Sequence, residues 1–287
     1  MLSTILTNPE AKLLGQSLFT VQQDELTLLV IKHRQCEAIL SLQGAQLLSW
    51  RPSEQARPVI WLSEKAQFMK GKAIRGGIPL CWPWFNKLGT PSHGFFRTSL
   101  WQLVEHQEDE TGVTLTLRLE DNSETRKLWV HPFKATVTVK LGQTCYLELT
   151  TEGEFSATGA LHSYFDVTDI EKITVTGLGI DYQESLTTVN LPQKTGELSF
   201  DQAVDRIYTV PAPISLIHDT DRTIKITHHH SHDVVTWNPW QAASIAMADM
   251  ADDGFKRMVC VETACITTPL VSHHNQPAKI AVTIACE

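Results

Sequence analysis

The chain has no long apolar run. Nowhere do about 18 apolar residues follow one another, which argues against a membrane-spanning helix. The opening "MLSTILTNPEAKLLG" has no basic segment leading into a long apolar one and no small-residue cleavage signature, so no secretory leader is expected. There is no CxxC pair and no dense cysteine framework. The six cysteines (Cys36, Cys81, Cys145, Cys260, Cys265 and Cys286) are scattered. Together these features lead us to expect a reduced, cytoplasmic protein whose cysteines serve mainly as small apolar fillers. Positive charge is also in short supply: 24 Lys and Arg stand against 32 Asp and Glu, a net charge of −8. General binding to nucleic acid or to a membrane surface depends on a basic face and is not expected here. A locally basic site remains compatible with that balance.

Helical periodicity is nearly absent, with short turns conceivable only near "SFDQAVD" (199–205) and "MADMADDGFK" (247–256). No fixed-period repeat, low-complexity tract or linker-like shift in composition interrupts residues 1–287, so one domain is expected.

What the chain does have is strict alternation. "VTLTLRL" puts Val113, Leu115, Leu117 and Leu119 on one side, and "ATVTVKL" does the same with Ala135, Val137, Val139 and Leu141. "RTIKITH" (222–228) and "KIAVTIA" (279–285) follow the same pattern, and "LTLLVI" near residue 28 reads as a more buried strand. Period-two patterning without intervening helices excludes a parallel βαβ sheet. It predicts an all-β fold, a large antiparallel β-sandwich with few short helices.

Four segments carry chemistry-bearing residues inside apolar or breaker-rich surroundings. "IRGGIPLCWPWFNKLGTPSHGFFR" (74–97) holds Arg75, Ser92, His93 and Arg97. Its two glycines after Arg75 would let backbone approach a ligand closely. Trp82 and Trp84 offer flat surfaces on which a sugar can stack, although a core-packed hairpin with solvent-facing arginines fits equally well. "ALHSYFDV" alternates so that His162, Tyr164 and Asp166 share a face; His162 is either a satisfied core histidine or a proton-transfer group. In "RMVCVETA", Glu262 closes an apolar strand on the face of Met258 and Cys260, where partial desolvation would raise its pKa. The alternative is a strand-end glutamate in water or paired with an arginine. "DRIY" places Asp205 where it can accept hydrogen bonds from hydroxyls or simply pair with a base, and "WNPW" (237–240) suggests an aromatic wall. "HHHSH" (228–232) has the composition of a metal site but not the spacing, because successive strand residues point to opposite faces. It reads as a solvated strand end.

These segments, in this order and spacing, resemble the aldose 1-epimerase (mutarotase) superfamily and, more narrowly, its D-hexose-6-phosphate mutarotases. The resemblance runs from about "LQGAQLLSW" (42–50) to the C-terminal strand. It implies a β-supersandwich with an open cleft and acid–base catalysis without a cofactor or metal. It places the catalytic histidine at His162, the catalytic glutamate at Glu262 and a substrate-binding aspartate at Asp205. Arg75 and Arg97 fall on the positions associated with a sugar phosphate, and His93 on a second cleft histidine. Where relatives often carry Gln or Ala, this chain has Ser92, which still donates a hydrogen bond but reaches less far. The implied substrate is a hexose 6-phosphate whose ring opens between two groups held on opposite sides of the C1–O5 unit. An epimerase for free aldoses and a non-catalytic sugar-binding sandwich are the competing readings. Oligomeric state is not visible in the sequence.

Overall fold

The computed structural model describes residues 2–186, 189–192 and 196–287, with backbone alone at 189–192. The alternating segments become antiparallel strands that bury one side. Gly112–Glu120 buries Val113, Leu115, Leu117 and Leu119, and Phe133–Leu141 buries Phe133, Ala135, Val137, Val139 and Leu141. Their register lines these side chains up in rows, with Leu115 opposite Val139, Val139 opposite Leu147, and Leu147 opposite Val282. A one-residue slip would turn every one of them to the other face, so burial itself fixes the register.

Among the described residues the strands form three antiparallel sheets. A five-stranded meander begins at Lys12–Leu13 and ends at Gln46–Pro52. A nine-stranded sheet runs in space from Glu197–Ser199 to Gln102–Asp109, with Ala278–Cys286 and Cys145–Gly153 near its middle. The third sheet carries the cleft. Its strands are β1 (Leu80–Cys81), β2 (Phe155–Leu161), β3 (Tyr164–Asp166), β4 (Asp181–Glu184), β5 (Val189–Pro192), β6 (Val204–Tyr208), β7 (Asp233–Asn238) and β8 (Met258–Ser272). In space they run β5-β4-β6-β7-β8-β2-β1, with β3 also pairing to β8. The main core is continuous across all three sheets, taking in Leu40, Val137, Val261 and Ile284 among others.

Helix is confined to short pieces. Asn122 caps Ser123–Leu128 by accepting from the backbone N–H groups of Glu124 and Thr125, the local bond that starts a helix at such a residue. The turn expected at 199–205 is instead the end of strand Glu197–Ser199 and the start of β6, because pairing partners on both sides offer it a sheet. The helical tendency near 247–256 is met by Trp240–Ala246 just before it and by a 3-10 turn at Gly254–Arg257. None of the described helices is long and apolar enough to cross a membrane.

Candidate active site

The cleft-facing side of β8 presents Cys260 and Glu262, and the opposite side sends Val259 and Val261 into the main core. Both β2 and β3 pair with β8: Leu161 lies opposite Thr263, and Tyr164 lies opposite Cys260. Counting inward from either side puts His162 opposite Glu262, at the break between the two strands. There the backbone N–H of His162 donates to the Pro79 carbonyl, 3.0 Å away. The side chains meet, with Nε2 of His162 3.3 Å from Oε1 of Glu262.

This pair is buried. Glu262 is 1% exposed, and neither its Oε2 nor Nδ1 of His162 has a hydrogen-bond partner within the described protein. Burial, followed by the charge of Asp205, pushes the Glu262 carboxyl well above the usual carboxylate range. Burial, followed by His93, Arg97 and Arg75, pushes the His162 imidazole well below its usual value. Opposite shifts of this kind favour a pair that holds one proton between the depressed imidazole and the raised carboxyl.

Around the pair lies an open cleft of about 750 Å³. All seven residues singled out from the sequence line it: Arg75, Ser92, His93, Arg97, His162, Asp205 and Glu262. His93 packs edge-on to His162, with ring centroids 5.6 Å apart. Its Nδ1 accepts the backbone N–H of Asn86 at 3.3 Å, which leaves the proton on Nε2 and makes that nitrogen a donor. Burial and the two arginines depress His93 to about 3, so it stays neutral. Asp205 sits on β6 opposite Trp237, which in turn lies opposite Cys260. Arg206 does not pair with it. The Arg206 guanidinium instead bonds Glu184 at 3.0 Å and lies over the Tyr182 ring, leaving Asp205 to face the cleft.

The cations differ. Arg75 donates through Nε to Asp249 at 3.3 Å and through Nη1 to the Tyr164 hydroxyl at 3.1 Å. Arg97 donates through Nη2 to the Ser92 carbonyl at 2.8 Å. Among the described residues no carboxylate pairs with Arg97, or with the exposed Lys87 that lines the same cleft. The Ser92 hydroxyl is engaged with the Asn86 carbonyl, so this residue shapes the loop that holds His93 and Arg97.

Residues 27–279 match the aldose 1-epimerase family. The chain belongs to this family. It is 43% identical to a Salmonella typhimurium protein provisionally named glucose-6-phosphate 1-epimerase, over 99% of this chain and 98% of the relative. An Escherichia coli protein with the same provisional name is 41% identical over the same shares. The crystal structure of a provisionally named mutarotase from Salmonella typhimurium superposes with a TM-score of 0.97, covering 100% of this chain and 99% of that one.

Within this aldose 1-epimerase fold, several local expectations are corrected. Trp82 does not line the cleft. It is fully buried, stacked on Phe96 at 4.2 Å and ringed by Phe95, Trp129, Phe133 and Phe155. Trp84 packs on Phe95 and donates to the Pro91 carbonyl, also away from the cleft lining. Of "WNPW", Trp237 faces the cleft and Trp240 packs on Phe255. The glycines after Arg75 serve the protein's own backbone rather than a ligand. A Cβ on Gly76 would sit 2.7 Å from the Trp61 carbonyl oxygen and one on Gly77 2.3 Å from that of Leu47, with both φ angles positive. Glu262 does not end its strand, because β8 continues to Ser272. His228 is not solvated: it is buried between Thr263 and Ser215, whose hydroxyls lie 2.8 and 3.0 Å from its ring nitrogens. The paired groups stand side by side on one wall of the cleft.

The sequence reading missed Lys87, Tyr164, Trp237 and Asp249 as individual cleft residues. Tyr164 stacks on His162 with ring centroids 4.9 Å apart, and its place on the His162 face was visible from the alternation. Asp249 carried no such signal.

Proposed function

We propose that the protein interconverts the α and β anomers of a hexose 6-phosphate, glucose 6-phosphate foremost, using His162 and Glu262 as the proton-transfer pair. The observation that carries this reading is the one-proton pair at the cleft floor, with two uncompensated cations, Arg97 and Lys87, lining the same cleft. The names of the relatives in Salmonella typhimurium and Escherichia coli point to the same substrate.

The adjacent placement of the pair suits a hemiacetal, whose hydroxyl oxygen O1 and ring oxygen O5 are both bonded to C1. The opposite shifts favour the single proton on the Glu262 carboxyl, and its transfer to His162 across the 3.3 Å contact gives the reactive form, with Glu262 ionised and His162 protonated. Glu262 takes the proton from the C1 hydroxyl, the C1–O5 bond breaks as the C1 carbonyl forms, and His162 gives its proton to O5. Rotation about C1–C2 turns the other carbonyl face toward O5. Glu262 then returns its proton to O1 as His162 takes back the O5 proton, closing the other anomer and restoring both groups. Each positioned transfer contributes roughly 10²–10⁴-fold. His93 donates from Nε2 and Asp205 accepts, so the two bracket the sugar hydroxyls. Arg97 and Lys87 take the phosphate, with the guanidinium fork matching two phosphate oxygens. Arg75 contributes through Nη2, which has no hydrogen bond within the described protein. The chain works as one unit, and its six unpaired cysteines suit a reducing, cytoplasmic setting.

A non-catalytic sugar-binding sandwich has no use for this floor. Leaving a buried polar atom unpaired costs about 1–3 kcal/mol, a cost that a proton-transfer site recovers in rate. Exchange NMR on equilibrated glucose 6-phosphate and on free glucose tests the reading. Faster exchange for the phosphate supports it, equal rates remove the phosphate preference, and no acceleration of either removes the activity.

A further inference from the structure

Just beneath the cleft floor lies a third group that the acid–base reading leaves idle, Cys260, fully buried behind the residues that line the cleft. Cys260 precedes Glu262 by two residues on β8, so both side chains emerge on the cleft side, and it lies opposite Tyr164, two residues along from His162. One ligand atom each from His162, Cys260 and Glu262 fall within 4.8 Å of one another, all on buried residues. A tetrahedral ion with bonds of about 2.0–2.3 Å holds its ligands roughly 3–4 Å apart, so modest side-chain shifts bring all three onto one ion. A second observation points to a ligand. Oε2 of Glu262 and Nδ1 of His162 are buried without partners, in residues that are 1% and 8% exposed.

We propose that this floor binds a thiophilic divalent cation, Zn²⁺ or its analogue Co²⁺, through His162, Cys260 and Glu262, with the remaining position open to the cleft. The thiol, imidazole and carboxylate donor set selects such ions over Mg²⁺ and Ca²⁺, which prefer all-oxygen cages. On binding, Cys260 gives up its thiol proton and Glu262 any carboxyl proton to solvent, and no electrons are transferred. Arg75 and Arg97 face the floor and oppose a cation, while Asp205 and Asp249 in the same cleft offset them. The ion would act as an inhibitor, because it occupies both groups of the proton-transfer pair. The metal site does not depend on the sugar reading, whereas the inhibition does.

Titrating Co²⁺ into the metal-stripped full-length protein tests the site without an activity assay. Wild type is expected to develop a near-ultraviolet thiolate-to-cobalt band and visible bands of a tetrahedral ion, both removed by Zn²⁺ and untouched by Mg²⁺. Cys260→Ser should lose the thiolate band and bind roughly tenfold or more weakly. Glu262→Gln keeps the thiol and should keep the band at reduced affinity, which covers the case in which the serine variant does not fold. Absence of a thiolate band in wild type, or its survival in Cys260→Ser, would overturn the proposal. Zn²⁺ should also slow anomer exchange in wild type. If the protein showed no exchange at all, the cobalt spectrum would still decide the metal site.

Discussion

His162 and Glu262 are cross-strand neighbours, facing each other where β2 breaks into β3, with Nε2 3.3 Å from Oε1. Neither residue approaches the other in sequence. Ninety-nine residues separate them, and other strands form within that stretch before β8 returns beside β2. The rigidity of that ladder fixes two weakly solvated groups in contact, and their opposite pKa shifts follow from the burial it imposes.

The pair sets a pH profile. Glu262 is shifted up and His162 down, so the one-proton state spans the interval between them. Below the depressed imidazole value the pair gains a second proton, and above the raised carboxyl value it loses its only one. We expect kcat in metal-free buffer to be level across that interval and to fall on both sides of it, with the acid limb well below the usual histidine value of about 6.5. A single acid limb centred near 6.5 would contradict the buried pair.

Charge balance in the cleft makes Arg97 and Lys87 the groups with phosphate to gain. Arg97→Ala should raise KM for glucose 6-phosphate about ten- to a hundredfold, the worth of one charge-assisted contact of about 1.5–3 kcal/mol. Lys87→Ala should act in the same direction and less, since Lys87 is exposed. Neither should change KM for free glucose comparably, and steady-state assays on both sugars separate the two cases.

Trp82 is a core residue with five aromatic neighbours. Trp82→Ala should destabilise the fold by about 3–5 kcal/mol, and Trp84→Ala by clearly less, since its ring is only half-buried. Urea denaturation of the two variants makes the comparison.

His228 predicts an acid-sensitive stability. Burial, followed by the charge of His229, depresses it to about 4 in the folded state. Above the unfolded value near 6.5 the imidazole is neutral in both states and contributes no pH dependence. As pH falls below 6.5, the unfolded chain takes up a proton that the folded one refuses, and stability drops until about pH 4. His228→Gln should flatten the stability curve over that interval, as read by denaturation at stepped pH.

Much of the strand content was legible because alternation is local, as in Val113–Leu119 and Ala135–Leu141. The division into three sheets was not, since pairings such as Leu161 with Thr263 join distant segments. Parity explains the misreading of Trp82: its neighbour Cys81 is buried on the other side of the strand, among Ile207, Val235 and Ala264, so Trp82 must face the main core, but the short β1 shows no alternation from which to read this. All seven candidate site residues were picked out by motif and are gathered in one cleft. Asp249 escaped notice because nothing in "MADMADD" separates it from the exposed Asp252 and Asp253. Lys87 escaped because a lysine in a turn is ordinarily solvated.

Under the proposed function, His162 and Glu262 move the two protons of ring opening. Exchange NMR on equilibrated glucose 6-phosphate with Glu262→Gln and His162→Asn tests it most directly, with folding checked by circular dichroism. Each substitution is expected to lower the enzyme-catalysed exchange rate by roughly 10²–10⁴-fold, and the double variant to lose little more, because the two groups act as one unit. Folded variants that exchange anomers at the wild-type rate would contradict that role.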